Sequence, residues 1–296
     1  WNANKNVGQY IWDVINPNPS RWKEGIKLVN HVMISNKDDP AKVERSLDTL
    51  GRMFHDLLED WARAAFWWRK SEQMGGFAPP VKLAHCYWKL GSKEMAVEIL
   101  LEMEQYYVPD ASEVRLWGEM GEADKALELA ESAAQEGWAD ESYLAAADVC
   151  RQAGRYAQAA AYYQKVLALP DLAPRGHGHG HGPERDRPKE RAQANLQAMK
   201  LFDALELKRV PDGTYTANSI AYADQLYVEV SVRAGRIESV KVTKHQERQF
   251  YSAFTDTVRQ IVSKQSVKGI DATTGATITS EAIINATAKA LAAGMK

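Results

Sequence analysis

The chain has 296 residues, 45% of them apolar and 26% charged, which is typical of a globular protein and long enough for two domains. Its net charge of −2 gives no sign of a basic surface, so we expect no binding to nucleic acid or to an anionic membrane. No stretch approaches the ~18 uninterrupted apolar residues of a membrane-spanning helix. Cys86 and Cys150 lie far apart in apolar, helical sequence, which predicts two core side chains and leaves any redox chemistry to an organic cofactor.

The first part of the sequence, from about residue 20 to residue 170, is predicted to be a series of helices that repeat. Residues 59–70 and 154–165 align their aromatic residues, their small residues and a final Lys. Equivalent turn positions, spaced by 32, 30 and 33 residues, are Glu59, Gly91, Gly121 and Gly154. This spacing is close to the ~34-residue period of tetratricopeptide repeats, which residues 143–170 resemble closely. We therefore predict an all-α helical-repeat solenoid of roughly four units, preceded by a capping pair of helices over residues 20–50.

Five tryptophans of this region could either pack between helices or form a ligand-binding surface. They are Trp61, Trp67, Trp68, Trp88 and Trp117. Aromatic residues at repeat positions more often fill the gaps between neighbouring units, so we favour packing.

The composition changes after Pro170. Residues 171–190 contain three Pro, four Gly and a run of charged residues, which predicts a linker. His177, His179 and His181 alternate with Gly there and could bind a metal ion, but flexible Gly spacing preorganises no geometry, so a solvated linker is favoured. A helix over residues 188–207 follows. The predicted organisation is helical repeats over residues 1–170, linker and connecting helix over 171–207, and a second domain over 208–296.

The hydrophobic period changes to two beyond Val210, which predicts β-strands. Apolar residues alternate with polar ones over residues 226–232, Ala234 and Gly235 form a predicted hairpin turn, and residues 236–243 return as the partner strand. A third strand is predicted over residues 214–222, and helices over residues 249–264 and 280–293. Strands followed by segregated helices make the second domain α+β.

A hydroxyl-rich loop over residues 271–280 leads into the last predicted helix. We expect Thr279 or Ser280 to cap that helix and Glu281 to complement its dipole. Gly275 and Ala276 leave the backbone open to a large group. A phosphate beside the next residue, a threonine, would meet unpaired N–H groups and the positive end of the helix dipole. The alternative is a polar turn with a helix cap and no ligand. This alternative is less favoured because the flanking sequence also matches a known family.

The residues of this loop resemble the FMN-binding domain found in flavin subunits of Rnf and of the sodium-pumping NADH:quinone reductase. The resemblance rests on the run Asp-x-x-(Ser/Thr)-Gly-Ala-Thr, followed by Thr-Ser, in residues 271–280. Residues 212–215, 235–240 and 245–247 resemble further motifs of that family in the same order, so the similarity covers residues 208–293.

The resemblance implies that a flavin transferase, with FAD as donor, esterifies FMN through its phosphate to the Thr277 hydroxyl. It further implies a set of residues that recognise or surround the flavin. These are Asp271, Thr274, Gly275, Ala276, Thr279, His245 and Glu247. His245 could equally be a surface histidine at a strand end. We predict neither catalytic residues nor metal ligands.

The leading hypothesis is an extracytoplasmic electron carrier, periplasmic or at the cell surface, whose helical repeats dock a redox protein partner. Location follows from the family resemblance, and anchoring to a membrane through a segment outside this sequence stays open, because the sequence begins at Trp1 without a leader. The alternative is an interaction scaffold with a non-covalent or lost flavin site. A third hypothesis, a reductase that acts on a small acceptor, requires an acid–base pocket that we do not find in the sequence.

Overall fold

The computed structural model describes residues 6–170, 187–272 and 275–295. Their contacts form two compact units: residues 1–107 with 247–251, and residues 108–246 with 252–296. The predicted domain limits after residues 170 and 207 stay predictions. The predicted linker residues 171–186, including His177, His179 and His181, lie outside the described residues, as does Thr274 of the loop.

The first unit is helical. Its helices are α1 (Val7–Tyr10), α2 (Trp22–Ser35), α3 (Pro40–Arg52), α4 (Trp61–Gln73), α5 (Pro80–Lys89) and α6 (Lys93–Glu104). Helices α2 and α3 are the pair expected over residues 20–50. The side chain of Asp39 caps α3 and that of Asp60 caps α4, each accepting the backbone N–H three residues on at 3.1 Å. A π-helical turn, Met53–Leu57, extends α3.

The second unit begins with four further helices. They are α7 (Ala111–Glu119), α8 (Ala123–Ala133), α9 (Ala139–Gln152) and α10 (Tyr156–Ala168). Helix α11 (Arg187–Phe202) follows and ends before the predicted limit at residue 207. Leu205 and Leu207 continue the apolar spacing and pack against the core, but Leu205 lies beyond the end of α11 and Leu207 begins a separate 3-10 turn, Leu207–Arg209. Residues 203–209 contain neither Gly nor Pro to mark the helix end.

The repeat turns have one backbone conformation. Gly91, Gly121 and Gly154 have φ of +88°, +86° and +72°, and Glu59 occupies the same left-handed region with φ of +51°. Five residues after each turn stands an alanine with 0% exposure, where the second helix of each pair approaches the first. These alanines are Ala64, Ala96, Ala126 and Ala159. The structure therefore confirms the predicted helical repeat and the equivalence of Glu59 with the three glycines.

A three-stranded antiparallel sheet, in the order β1–β2–β3, forms the other part of the second unit. Its strands are β1 (Gly213–Ile220), β2 (Gln225–Arg233) and β3 (Arg236–Lys244). In the central register, Tyr215 pairs with Val230 and Val230 with Val240. The predicted turn is present, with φ of +50° at Ala234 and +69° at Gly235.

Two helices, α12 (Ala253–Lys264) and α13 (Thr277–Gly294), pack against the buried face of this sheet. That face consists of the alternating apolar residues of β2, which are 0–3% exposed. The predicted start of α12 at residue 249 is wrong, because Phe250 has φ of +50° and interrupts a helix there. The α+β prediction is confirmed. Among the described helices, none is long and apolar enough to cross a membrane.

Candidate functional site

The loop between α12 and α13 is fixed to α12 by side chains. Gln260 accepts the Asp271 backbone N–H at 3.0 Å and donates to the Asp271 carbonyl at 2.9 Å. Lys264 donates to the Gly269 carbonyl at 2.7 Å, and its ammonium lies 3.7 Å from the Asp271 carboxylate. The Asp271 side chain is 81% exposed, so it faces solvent rather than the core.

Residues of the helical repeats also contact this loop. The Gly275 N–H donates to Glu119 Oε1 of α7 at 3.4 Å, and the Gly269 N–H donates to the Tyr156 hydroxyl of α10 at 3.3 Å. Lys268 forms an ion pair with Asp203 and places its ammonium 5.1 Å from the centre of the Tyr156 ring. The last repeats and the loop are thus part of one packed unit.

Helix α13 begins at Thr277, three residues before the predicted start. Its N-cap is Ala276, and within the described residues no side chain caps the helix. The expectation that Thr279 or Ser280 caps α13 is therefore wrong: both lie inside its first turn and are buried, and Ser280 accepts a hydrogen bond from Thr257 at 3.0 Å. The backbone N–H groups of Thr277 and Ile278 lie at this end of the helix, where the positive end of the helix dipole favours an anion.

Thr277 occupies the first position of α13, directly after Gly275, with φ of +77°, and Ala276. Only 4% of the Thr277 surface is exposed, and the same holds for Ala276. The predicted residues Asp271, Gly275, Ala276, Thr277 and Thr279 therefore lie along one short segment, with the threonine hydroxyl at the base of an uncapped helix. Their predicted roles toward a flavin stay predictions.

The predicted His-x-Glu segment divides between the two units. His245, just after β3, is half-buried, and its ring centre lies 4.3 Å from that of Phe254 of α12. Glu247 belongs to residues 247–251, which pack within the first unit, and it is 3% exposed. In that unit, the Phe250 N–H donates to the Asp56 backbone carbonyl at 2.7 Å, so a backbone hydrogen bond helps to fix this segment.

A buried polar cluster that the sequence analysis missed joins α13 to helices α9 and α11. The Arg151 guanidinium donates to Asn195 Oδ1 and to Asn285 Oδ1, both at 2.9 Å. Asn195 donates to Glu281 Oε2 at 2.9 Å. These four residues are at most 7% exposed. The signal in the sequence was the pair of asparagines in otherwise apolar helix faces, since a buried amide requires partners.

Asp148 forms the second half of this cluster. Its carboxylate accepts hydrogen bonds from the Tyr163 hydroxyl at 3.0 Å, from Arg115 at 3.1 Å and from Arg191 at 3.3 Å. Burial, followed by the charges of Glu281 and Asp148, raises the pKa of Tyr163 well above its ordinary value. Glu281 was expected to complement the dipole of α13; instead it lies beyond the first turn and faces this cluster.

The first unit contains a second buried cluster. His55 Nδ1 lies 2.5 Å from Asp56 Oδ1, His55 Nε2 lies 2.8 Å from His85 Nδ1, and Lys82 donates to both Asp56 oxygens. Burial raises the pKa of Asp56, but the Lys82 charge and the His55 hydrogen bond outweigh it and hold that pKa well below its usual range. Burial lowers the pKa of His55 and, more strongly, that of His85.

The tryptophans and cysteines were predicted as packing residues. Trp68 is 0% exposed and Trp117 4%, whereas the other three predicted tryptophans are half-buried. Cys86 and Cys150 are buried and free. Across residues 6–170, 187–272 and 275–295, no three His, Cys, Asp or Glu side chains are arranged to hold a metal ion.

Comparison with known families agrees with this architecture. Residues 221–292 match the family model of the FMN-binding domain, and residues 81–102 and 140–170 match that of the tetratricopeptide repeat. The chain joins tetratricopeptide repeats to an FMN-binding domain. The FMN-binding match begins just before β2 and ends within α13, so it includes the loop and Thr277. A search of curated proteins found no match to the chain.

Proposed function

We propose that the chain is an electron-transfer flavoprotein whose FMN is esterified through its phosphate to the Thr277 hydroxyl. The observation that carries this proposal is the position of Thr277, at the uncapped start of α13 within the segment matched by the FMN-binding domain. An alcohol at this position supplies the ester oxygen, and the adjoining backbone supplies hydrogen-bond donors.

The first turn of α13 suits a phosphate in two respects. Ala276 has no side-chain acceptor, so the N-cap residue itself does not compete with an anion at the start of the helix. The positive end of the helix dipole adds a favourable interaction with negative charge. FMN bound there would supply electron-transfer chemistry, while the protein sets its orientation and polarity.

Attachment requires a partner enzyme, which we propose is a flavin transferase that uses FAD. The Asp271 side chain is exposed and is suited to contact this enzyme, whereas Thr277 is only 4% exposed. The loop and the first turn of α13 must therefore open for the Thr277 hydroxyl to reach the active site of the transferase. His245 and Glu247 keep their proposed place near the flavin on the family resemblance alone.

The tetratricopeptide repeats are proposed to dock a redox protein partner, because stacked helical hairpins present an extended surface suited to a protein or peptide. We also propose an extracytoplasmic location, which is supported by the resemblance to Rnf and sodium-pumping reductase subunits. A flavin held by its phosphate can then accept electrons from one protein and donate them to the next.

The test is the intact mass of the denatured protein after co-expression with a flavin transferase. We expect wild type to gain the mass of FMN less one water, and Thr277→Ala to gain nothing. Thr277→Ser, which keeps a hydroxyl, should gain the same mass as wild type. Thr287→Ala is the matched control, since Thr287 is a buried threonine of the same helix outside the motif, and it should be modified. Unmodified wild type would contradict the proposal.

A further inference from the structure

Glu281 is a buried carboxylate with incomplete partners. It is 4% exposed, and its Oε2 accepts from Asn195 at 2.9 Å. Its Oε1 receives no hydrogen bond from the described residues. The nearest cations are too far away to donate one: Arg151 lies 3.9 Å from Oε1 and Arg191 lies 3.8 Å from Oε2. A buried carboxylate oxygen without a hydrogen-bond donor costs free energy when it is charged, so the protonated form of the carboxyl is favoured.

Helix geometry places this carboxyl beside Thr277. Glu281 follows Thr277 by four residues within α13, and residues at that spacing share a face with about 5–6 Å between their Cβ atoms. Side chains on a helix also point toward its N-terminus, so the Glu281 side chain extends toward the turn that Thr277 begins.

We propose that Glu281 binds a proton in response to negative charge placed on Thr277, so that flavin attachment draws a proton into the buried cluster. This inference rests on the proposed function. Attachment forms the bond between Thr277 Oγ1 and phosphorus, breaks the pyrophosphate bond of FAD, and releases AMP and the hydroxyl proton. The product is a phosphodiester with one negative charge, and Glu281 takes a separate proton from solvent.

The groups that face Glu281 come from four other helices. Helix α9 contributes Asp148 and Arg151, α10 contributes Tyr163, α11 contributes Arg191, and Arg115 of α7 reaches the cluster through Asp148. Burial first, and then the charge of Asp148, raise the pKa of Glu281 to about 7, against the lowering effect of the arginines. Because that value is near neutral pH, one added charge is sufficient to change the protonation state.

The expected shift follows from Coulomb's law. One negative charge at roughly 6–8 Å, with an effective dielectric constant of about 20, raises the Glu281 pKa by about one to two pH units. High salt screens such a buried interaction only weakly.

Thr277→Asp tests the inference without the transferase, because it places one negative charge at the same position. Thr277→Asn is the matched neutral control. The titration of Glu281 is measured by NMR of protein labelled with 13C at the glutamate carboxyls, and Glu281→Gln identifies the resonance. Glu238→Gln, at an exposed position of β3, serves as the control for that assignment.

We expect the Glu281 midpoint in Thr277→Asp to exceed that in Thr277→Asn by about one to two pH units. The flavinylated wild type should show the same upward shift relative to the unmodified protein, and it provides the charge if Thr277→Asp does not fold. An unchanged or lower midpoint in either comparison overturns the inference. Failure of the proposed function is seen separately, as absence of FMN mass on the wild type.

Discussion

Arg151 is the buried cation through which helix α9 holds helix α13, and its replacement by Met measures what that contact contributes. The guanidinium donates to Asn195 and Asn285 at 2.9 Å and stands 3.9 Å from Glu281. Methionine keeps much of the stem packing but removes the cation from two buried amide oxygens, and it leaves Arg191, at 3.8 Å, as the nearest cation to the Glu281 carboxylate. Loss of one partner from a buried ionic cluster costs about 3–5 kcal/mol. The effect should be larger above about pH 7, where Glu281 is ionised, than below it.

The matched control is Arg155→Met. Arg155 lies four residues further on and pairs with Asp124 at 2.6 Å, but the two side chains are 41% and 87% exposed. Removing an exposed pair costs less than about 1 kcal/mol. The free energy of unfolding is measured by urea unfolding followed by circular dichroism. The local stability of α13 is measured by hydrogen exchange of residues 277–294. Equal losses in the two variants would refute the assignment of Arg151 as the link to α13.

Three further predictions concern the loop, the histidine pair and one repeat turn. Gln260→Ala removes both hydrogen bonds to Asp271, so the loop should open more easily and flavin transfer to the folded protein should be about five- to thirty-fold faster. The rate is measured as the gain of mass with time. An unchanged rate would show that loop opening does not limit flavin transfer. Because burial depresses the pKa of His55 and His85, the unfolded state binds more protons below about pH 6.5, and stability is lost as the pH falls through that range. His85→Gln should lose less stability on acidification than wild type, read from tryptophan fluorescence in urea, and an equal loss would contradict this. Glu59→Gly should stabilise the first unit by about 0.5–1 kcal/mol, because Glu59 has φ of +51°, a conformation that glycine adopts more readily than other residues. Glu59→Ala should not stabilise it. The midpoints of thermal unfolding of the two variants test this difference.

The repeat fold was predictable because its constraints are local. Turn glycines and the alanines five residues later are required by backbone conformation and by close helix approach, and both recur in the sequence. The strand alternation of β2 was equally clear. Helix limits were not: the start of α12 depends on the left-handed conformation of Phe250, a non-glycine residue, and Leu205 continues an apolar pattern after α11 has ended.

The candidate site was predictable only in part. The motif placed Thr277 before a helix. The expected cap at Thr279 or Ser280 does not form, because both side chains are buried inside the first turn instead. Glu281 was interpreted as a dipole partner because its true neighbours, such as Arg151 and Asn195, are distant in sequence. Contacts of that kind follow from tertiary packing, which a single sequence does not contain.

The central claim is that Thr277 itself carries the flavin, and peptide mapping tests it most directly. Trypsin cleavage after Lys268 and Lys289 releases residues 269–289, which include every hydroxyl of the motif. Fragmentation of this peptide from the flavinylated protein should place the FMN phosphate on Thr277. Fragment ions that place it on another threonine or serine, or a peptide without added mass, would contradict the account.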